Sequence, residues 1–421
     1  MGKIVLIGAG SASFGSRTIA DFVLTPELAG SQLWLVDVVP DTLATMEAFA
    51  KKLSADAQVP YTITATTDRR AALQGADFVI TSIAVRREEL WELDFKVPLK
   101  YGVKHVLGEN GGPGGLFHTL RSVPRLIEIA RDIEAICPKA LLINFSNPES
   151  RVCLGVTRYT NVRTIGLCHG IWGERRCLAH VLGLPHEELD VLAAGINHFT
   201  WILELSHKGR DLYPELRERL ETYDPNFQPL SRFMFGALGY YPSPGDNHIG
   251  EYLPYAWEFI GIGGYDFAAA RSYRDQLAAR IRDVACGKRP SAEFLASRSG
   301  EVAVDIIRDL VTGKKGTYLA GNLPNKGYIR NLSQDAVVEV PFVVDGEIRG
   351  QVIGDLPEGI AALCEREIRV QKLAVDAAVK GSRELALQAL LADPVVPSAY
   401  AAERILEELL CLQAEWLPSF G

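Results

Sequence analysis

Two polar residues set among apolar neighbours carry the first chemistry that the sequence offers. Cys168 follows the apolar run Arg163–Leu167, and His198 stands in Ile196-Asn197-His198-Phe199-Thr200-Trp201, thirty residues further on. A thiolate and an imidazole both suit a divalent transition ion, and two protein ligands leave positions open for substrate oxygens and water. Their spacing matches no zinc-finger pattern. Without further context the plainer reading stands first: a buried cysteine is usually an inert small hydrophobe, and a lone histidine a satisfied core residue.

A second chemistry lies at the N-terminus. Gly8-Ala9-Gly10-Ser11-Ala12-Ser13 falls between an apolar strand at residues 3–7 and a helix near 15–24. There, missing Cβ atoms let backbone N–H groups approach a pyrophosphate at the helix N-terminus. The third glycine of G-x-G-x-x-G is replaced by Ser13, which weakens the motif. The next strand, Gln32–Val36, delivers Asp37 27 residues after Gly10. A carboxylate at that place accepts from the adenosine ribose hydroxyls and favours NAD over its 2′-phosphate. The alternative is a tight turn without ligand, with Asp37 capping the helix that begins near Pro40.

The elements that must position these groups alternate along the first half. Strands are predicted at Phe78–Ile83, His105–Leu107, Ala140–Asn144 and Arg163–Leu167, with helices at 40–53, 85–101 and 117–136, as a parallel sheet requires. From about residue 190 the pattern changes to longer helices, a Pro/Gly-rich loop at Tyr240–Gly250, a β-like stretch at Asp335–Val344 and an amphipathic helical segment over 357–416. The expectation is therefore an α/β protein, with a Rossmann-like doubly wound domain over 1–190 and a mixed α+β domain over 191–421. The second domain is expected to serve substrate, metal and oligomerisation.

Bulk composition removes some function classes. Lys and Arg number 44 against 52 Asp and Glu, a net charge of -8, and no basic run or basic-aromatic stripe occurs. Nucleic acid and membrane are not expected partners. The N-terminal apolar stretch is too short for a secretory leader or a spanning helix. Seven cysteines without framework spacing point to reduced thiols, so a cytoplasmic location is expected.

Five segments in order then acquire a joint meaning: Ile7-Gly8-Ala9-Gly10-Ser11, Gly108-Glu109-Asn110-Gly111-Gly112-Pro113-Gly114-Gly115, Asn144-Phe145-Ser146-Asn147-Pro148, Cys168-His169-Gly170 and Asn197-His198-Phe199. Together they resemble glycoside hydrolase family 4, the NAD- and metal-dependent glycosidases, over nearly the whole chain. Asp335–Pro341 and Val370–Leu373 extend the likeness. The resemblance implies the fold of lactate and malate dehydrogenases and a hydrolysis that runs through redox steps. NAD takes hydride from C3 of the sugar, a base removes the acidified C2 proton, the aglycone leaves, water adds at C1 and the hydride returns.

Site roles follow from the same resemblance. Gly8, Gly10, Ser11, Ser13 and Asp37 would hold NAD. Cys168 and His198 would hold a divalent ion, Mn2+ being the usual one in the family. Asn147 would bond the sugar hydroxyls near C2 and C3, and Asn110 would also meet substrate. His169 is either a leaving-group acid, a substrate ligand or an orienting residue behind the ion. The C2 base is sought in the loop Gly239–Tyr252: Asp246 is favoured, with His248 beside it and Tyr252 as the alternative. Cys168-His169-Gly170-Ile171, and Arg86-Arg87 where paired glycines would fall, speak against a 6-phosphate substrate. The Cys-His-Gly form resembles the subgroup acting on hexuronides, so an α-glucuronide or α-galacturonide is expected. Arg86, Arg87 or Arg330 would grip its C6 carboxylate, their other reading being surface charge or cofactor contact. A homodimer or homotetramer is implied. An α-glucosidase or α-galactosidase of the same family, a plain NAD-dependent dehydrogenase, and a sensor without activity are the competing readings.

Overall fold

Short apolar runs become strands buried on both faces where helices cover the sheet, and the N-terminal half is built this way. In the computed structural model, which describes residues 2–420, the order is β1 (Lys3–Ile7), α1 (Phe14–Val23), β2 (Gln32–Val36), α2 (Pro40–Asp56), β3 (Thr62–Thr66), α3 (Arg69–Leu73), β4 (Phe78–Thr81), α4 (Arg87–Lys100), α5 (Gly112–Ile136), β5 (Leu141–Asn144), α6 (Glu149–Tyr159), β6 (Arg163–Gly166) and α7 (Gly170–Leu182). These strands pair in parallel in the order β3-β2-β1-β4-β5-β6. That is the dinucleotide-binding order, with its crevice at the carboxyl ends of β1 and β4.

The sheet does not stop at β6. Strand Gly316–Pro324 joins it through Asn322 opposite Gly166, and Val337–Val344 follows antiparallel. Glu339 opposite Gly195 then links the hairpin β7 (Asp190–Ile196) and β8 (Phe199–His207), and Tyr241–Ser243 closes the edge. One continuous sheet thus crosses residue 190. The apolar cores on its two faces do the same: one contains Ile4, Leu6, Ile196, Val338 and Ile360, the other Val5, Val123, Val375 and Leu406. Helix Glu358–Lys380 packs on α5 and α6.

Several sequence expectations shift. His105–Leu107 is loop rather than strand, because His105 stacks on Phe95 and its Nε2 lies 2.8 Å from the Phe95 carbonyl oxygen. Helix α5 starts at Gly112, not 117. The segment 357–416 holds three helices, Glu358–Lys380, Arg383–Ala392 and Ala399–Leu412. Gly381, at φ +61°, ends the first, a left-handed C-terminal stop. Among the described residues no helix is long and apolar enough to cross a membrane.

Candidate active site

The glycine turn leaves β1 over the crevice. Gly8 has φ +90°, and a Cβ there would lie 2.1 Å from the carbonyl oxygen of Ser82, so only glycine fits. A Cβ on Gly10 would lie 2.7 Å from Asp37 Oδ2. The Gly10 N–H donates to that oxygen at 2.8 Å and the Val39 N–H to Oδ1 at 3.1 Å. Asp37 therefore brackets the turn instead of capping α2 through a side-chain bond. Ser11 Oγ accepts from the Phe14 N–H at 3.2 Å, whereas Ser13 is exposed and makes no cap bond. Val38 stands beside Asp37 with 88% of its surface exposed. A cradle that a Cβ would fill, with an acid at the end of the second strand, fits a dinucleotide.

Cys168 lies just beyond β6. His198 occupies the two-residue turn of the β7–β8 hairpin at φ +61°, a backbone conformation that only tight tertiary constraint holds in a non-glycine residue. Cys168 Sγ and His198 Nε2 are 3.4 Å apart. On the other side, the His198 and His248 rings stand 4.2 Å apart, centroid to centroid. His248 comes from the short helix Gly245–Ile249 and Glu251 from the turn that follows. Ligand atoms of His198, His248 and Glu251 all lie within 4.8 Å of one another. Glu251 is 1% exposed. Its Oε2 accepts from the N–H groups of Glu109 (2.6 Å), Asn110 (2.6 Å) and Gly111 (3.2 Å), and its Oε1 stands 3.6 Å from His248 Nδ1.

Three buried atoms here have no hydrogen-bond partner among the described residues: Nδ1 of His198, Nδ1 of His248 and Oε1 of Glu251. Bare buried polar atoms are costly, and the two imidazoles that carry them stand with the Cys168 thiol in a set of side chains that suits a divalent transition ion. Burial, followed by the neighbouring His248, holds the His198 imidazole well below its ordinary pKa, in the neutral form that ligates. Burial and then the carboxylates of Glu339 and Glu149 push the Cys168 thiol well up. A cation at the sulfur reverses that balance. Beneath the pair, Glu339 accepts from Asn197 Nδ2 and Asn322 Nδ2, each at 3.2 Å, and from Thr200 Oγ1, while Asn322 also donates to Glu149 at 2.9 Å. Both flanks of His198 are thus tied to one carboxylate.

The Glu109 turn reaches further. Asn147, at the start of α6, donates from Nδ2 to Glu109 Oε1 at 3.4 Å, and Arg87 Nη2 donates to the same oxygen at 2.7 Å. Sugar-binding candidate, arginine and histidine cluster therefore share one segment.

Comparison with known proteins settles the family. The Family 4 glycosyl hydrolase model matches residues 3–184, and the Family 4 glycosyl hydrolase C-terminal domain model matches residues 193–396. The chain belongs to glycosyl hydrolase family 4. Similar relatives include an alpha-glucosidase of Erwinia rhapontici, 34% identical over 99% of this chain and 98% of that one. An alpha-galacturonidase of Bacillus subtilis is 31% identical over 97% and 96%. A 6-phospho-alpha-glucosidase from gut microorganisms, solved in complex with NAD and Mn2+, shares the fold with TM-score 0.88 at 22% identity, covering all of both chains.

Within this family 4 chain, several expected residues stand elsewhere. Both oxygens of Asp246 are taken: they accept from the Leu230 N–H (2.9 Å), the Ser231 N–H (2.8 Å) and Ser231 Oγ (2.6 Å) at the start of helix Pro229–Leu238. That is a capping role, and it does not suit a base. Tyr252 is 2% exposed, its hydroxyl 3.4 Å from the Asn197 carbonyl oxygen, and burial pushes its pKa far up. Arg86 pairs with Glu89 and lies over the Trp416 ring, and Arg330 grips Asp355 at 2.8 and 3.2 Å. Of the three arginines, only Arg87 meets the Asn147 cluster. Asn110 is 3% exposed and takes part through its backbone N–H. His169 is exposed, and its Nδ1 lies 3.1 Å from Glu301 Oε1, a bond that raises its pKa. Glu251, Glu109, Glu339 and Asn322 carry no role in the sequence reading. Glu251 had a local signal, standing three residues after His248, and Glu109 and Glu339 lie inside segments that carry the resemblance.

Proposed function

We propose that the chain is an NAD- and divalent-metal-dependent glycosidase whose substrate is a non-phosphorylated α-hexuronide. The observation that carries this is the shared Glu109 turn, through which Asn147 and Arg87 meet the segment that holds Glu251 beside His248 and His198. When bound, NAD supplies a hydride acceptor and donor, and the ion supplies a Lewis acid. Gly8, Gly10 and Asp37 cradle the dinucleotide, and Cys168 and His198 hold the ion. Asn147 orients the sugar hydroxyls near C2 and C3. Arg87 reads the C6 carboxylate as a fork, with Glu109 fixing its direction. His169, exposed one residue past Cys168 and oriented by Glu301, gives the leaving group its proton.

The B. subtilis alpha-galacturonidase relative supports the acid substrate. A second reading has its own observation: Glu109 already neutralises Arg87, and the E. rhapontici relative is named an alpha-glucosidase. A panel of chromogenic α-glucuronide, α-galacturonide, α-glucoside and α-galactoside, assayed with NAD, Mn2+ and a thiol reductant, separates the two. Cleavage of the uronides with no net NADH is expected, with deuterium from solvent entering at C2. Cleavage of the neutral glycosides alone would overturn the uronide assignment, and NADH accumulating with product would overturn hydrolysis.

A further inference from the structure

We propose that His248 is a third protein ligand of the ion held by Cys168 and His198, and that Glu251 is the residue that positions it. This rests on the metal-dependent reading above and goes beyond its two-ligand site.

The three side chains come from separate parts of the chain, and His198 stands against each of the other two. Cys168 follows β6, His198 sits in the β7–β8 turn, and His248 rides on the short helix Gly245–Ile249. His198 Nε2 faces Cys168 Sγ at 3.4 Å, and the His248 ring lies 4.2 Å from the His198 ring. The His248 side chain keeps about a third of its surface exposed, 34%, so its ring borders open space while its Nδ1 atom is buried and bare.

Glu251 explains that buried side. Three successive N–H groups, from Glu109, Asn110 and Gly111, converge on its Oε2, an anion-binding concavity already filled by a carboxylate. A Cβ on Gly111 would lie 2.3 Å from the Glu251 carbonyl oxygen, so the turn and the Glu251 backbone are in close contact. The carboxylate therefore cannot swing. Its second oxygen is fixed 3.6 Å from His248 Nδ1 without another partner. A histidine that ligates through Nε2 must carry its proton on Nδ1, and carboxylates are the usual acceptors of that proton behind metal-bound histidines. Glu251 Oε1, 3.6 Å from His248 Nδ1, stands where such an acceptor would stand. With Oε2 saturated, Glu251 serves as the acceptor behind His248 rather than as a ligand. One thiolate and two imidazoles form a softer set than carboxylates would, suited to Co2+ and Zn2+ as well as Mn2+.

The test uses the full chain titrated with Co2+, read by the thiolate-to-cobalt band in the near ultraviolet and the ligand-field bands in the visible. NAD affinity and thermal melting are read on the same samples. Cys168→Ser is expected to remove the thiolate band. His248→Ala is expected to keep that band, alter the visible bands and weaken Co2+ binding at least tenfold. Glu251→Gln, a nearly isosteric change, is expected to weaken it 10–100-fold, with NAD affinity within twofold of the parent. His248→Gln serves in place of the alanine variant if that one melts early. Unchanged visible bands and Co2+ affinity in both His248 variants, with the Cys168 effect intact, would overturn the third ligand alone. Unchanged affinity in Glu251→Gln would overturn its positioning role. Loss of neither band nor affinity in Cys168→Ser would instead overturn the metal reading on which the proposal stands.

Discussion

His198 is held in the left-handed region at φ +61° by bonds on both sides: Asn197 Nδ2 and Thr200 Oγ1 both donate to Glu339. Strain of this kind costs about 1–3 kcal/mol and persists only where the surroundings enforce it. Glu339→Ala should therefore release the turn, weaken divalent-ion binding at least tenfold and lower stability by about 1–3 kcal/mol, since Asn197 and Asn322 lose a buried acceptor. Ion titration and urea unfolding of the same variant check both outcomes. At the cofactor end, Gly8→Ala would drive a Cβ against Ser82 O, and the NAD dissociation constant should rise more than tenfold in a fluorescence titration while the far-UV spectrum stays native. Gly8 and Gly10 stand out through the glycine turn after an apolar strand, whereas Cys168, His198 and Asn147 become candidates only through the ordered set of five segments that resembles the family. Glu339 and Asn322 were not legible as site residues. Their partnership with Asn197 depends on strand register across a sheet, and no local pattern encodes it.

At the scale of the element, the loop at 239–252 shows how a chemically suggestive residue can serve structure. Asp246 attracts notice as a carboxylate beside His248, yet it caps helix Pro229–Leu238 with three bonds. A carboxylate that accepts from the first N–H groups of a helix, as an N-cap side chain does, contributes about 0.5–2 kcal/mol. Asp246→Asn should lose about 1 kcal/mol in urea unfolding, and its kcat should fall less than tenfold. A fall of a thousandfold or more with stability intact would restore Asp246 as the base. Other elements were legible in proportion to their pattern. β1, β2, β4, β5 and β6 are apolar runs bounded by turns. β3 is Thr62-Ile63-Thr64-Ala65-Thr66, a half-exposed polar edge strand without an apolar run. The β7–β8 hairpin lacks a glycine at its turn, since His198 takes the position that glycine normally fills. His105–Leu107 is apolar enough to look like a strand, but its backbone turns into the glycine segment that opens α5.

At the scale of the molecule, the sequence break near residue 190 is not a break in the core, because the sheet and both apolar faces run across it. The C-terminal segment is fastened to the first half by a buried set: Arg121 pairs with Asp94 at 2.6 Å, and Gln413 Nε2 donates to Asp94 at 2.6 Å. Replacing Asp94 with Leu strands the Arg121 charge and should cost about 3–5 kcal/mol, largely recovered when Arg121 becomes Leu as well; a urea double-mutant cycle measures the recovery. The whole molecule also carries carboxyl groups that folding buries. Burial pushes Glu174 up to about 8, and burial followed by its neighbour Asp393 pushes Glu367 up to about 8. An unfolded glutamate titrates near ~4.3. Between those values the native state binds more protons than the unfolded one, so stability falls as pH rises. Urea midpoints should therefore decline from about pH 5 to about pH 8 by this contribution. Glu174→Gln keeps a polar group beside Gln228 Nε2 but cannot titrate. Its stability should fall less steeply over the same window, and a slope equal to the parent's would remove Glu174 from the account.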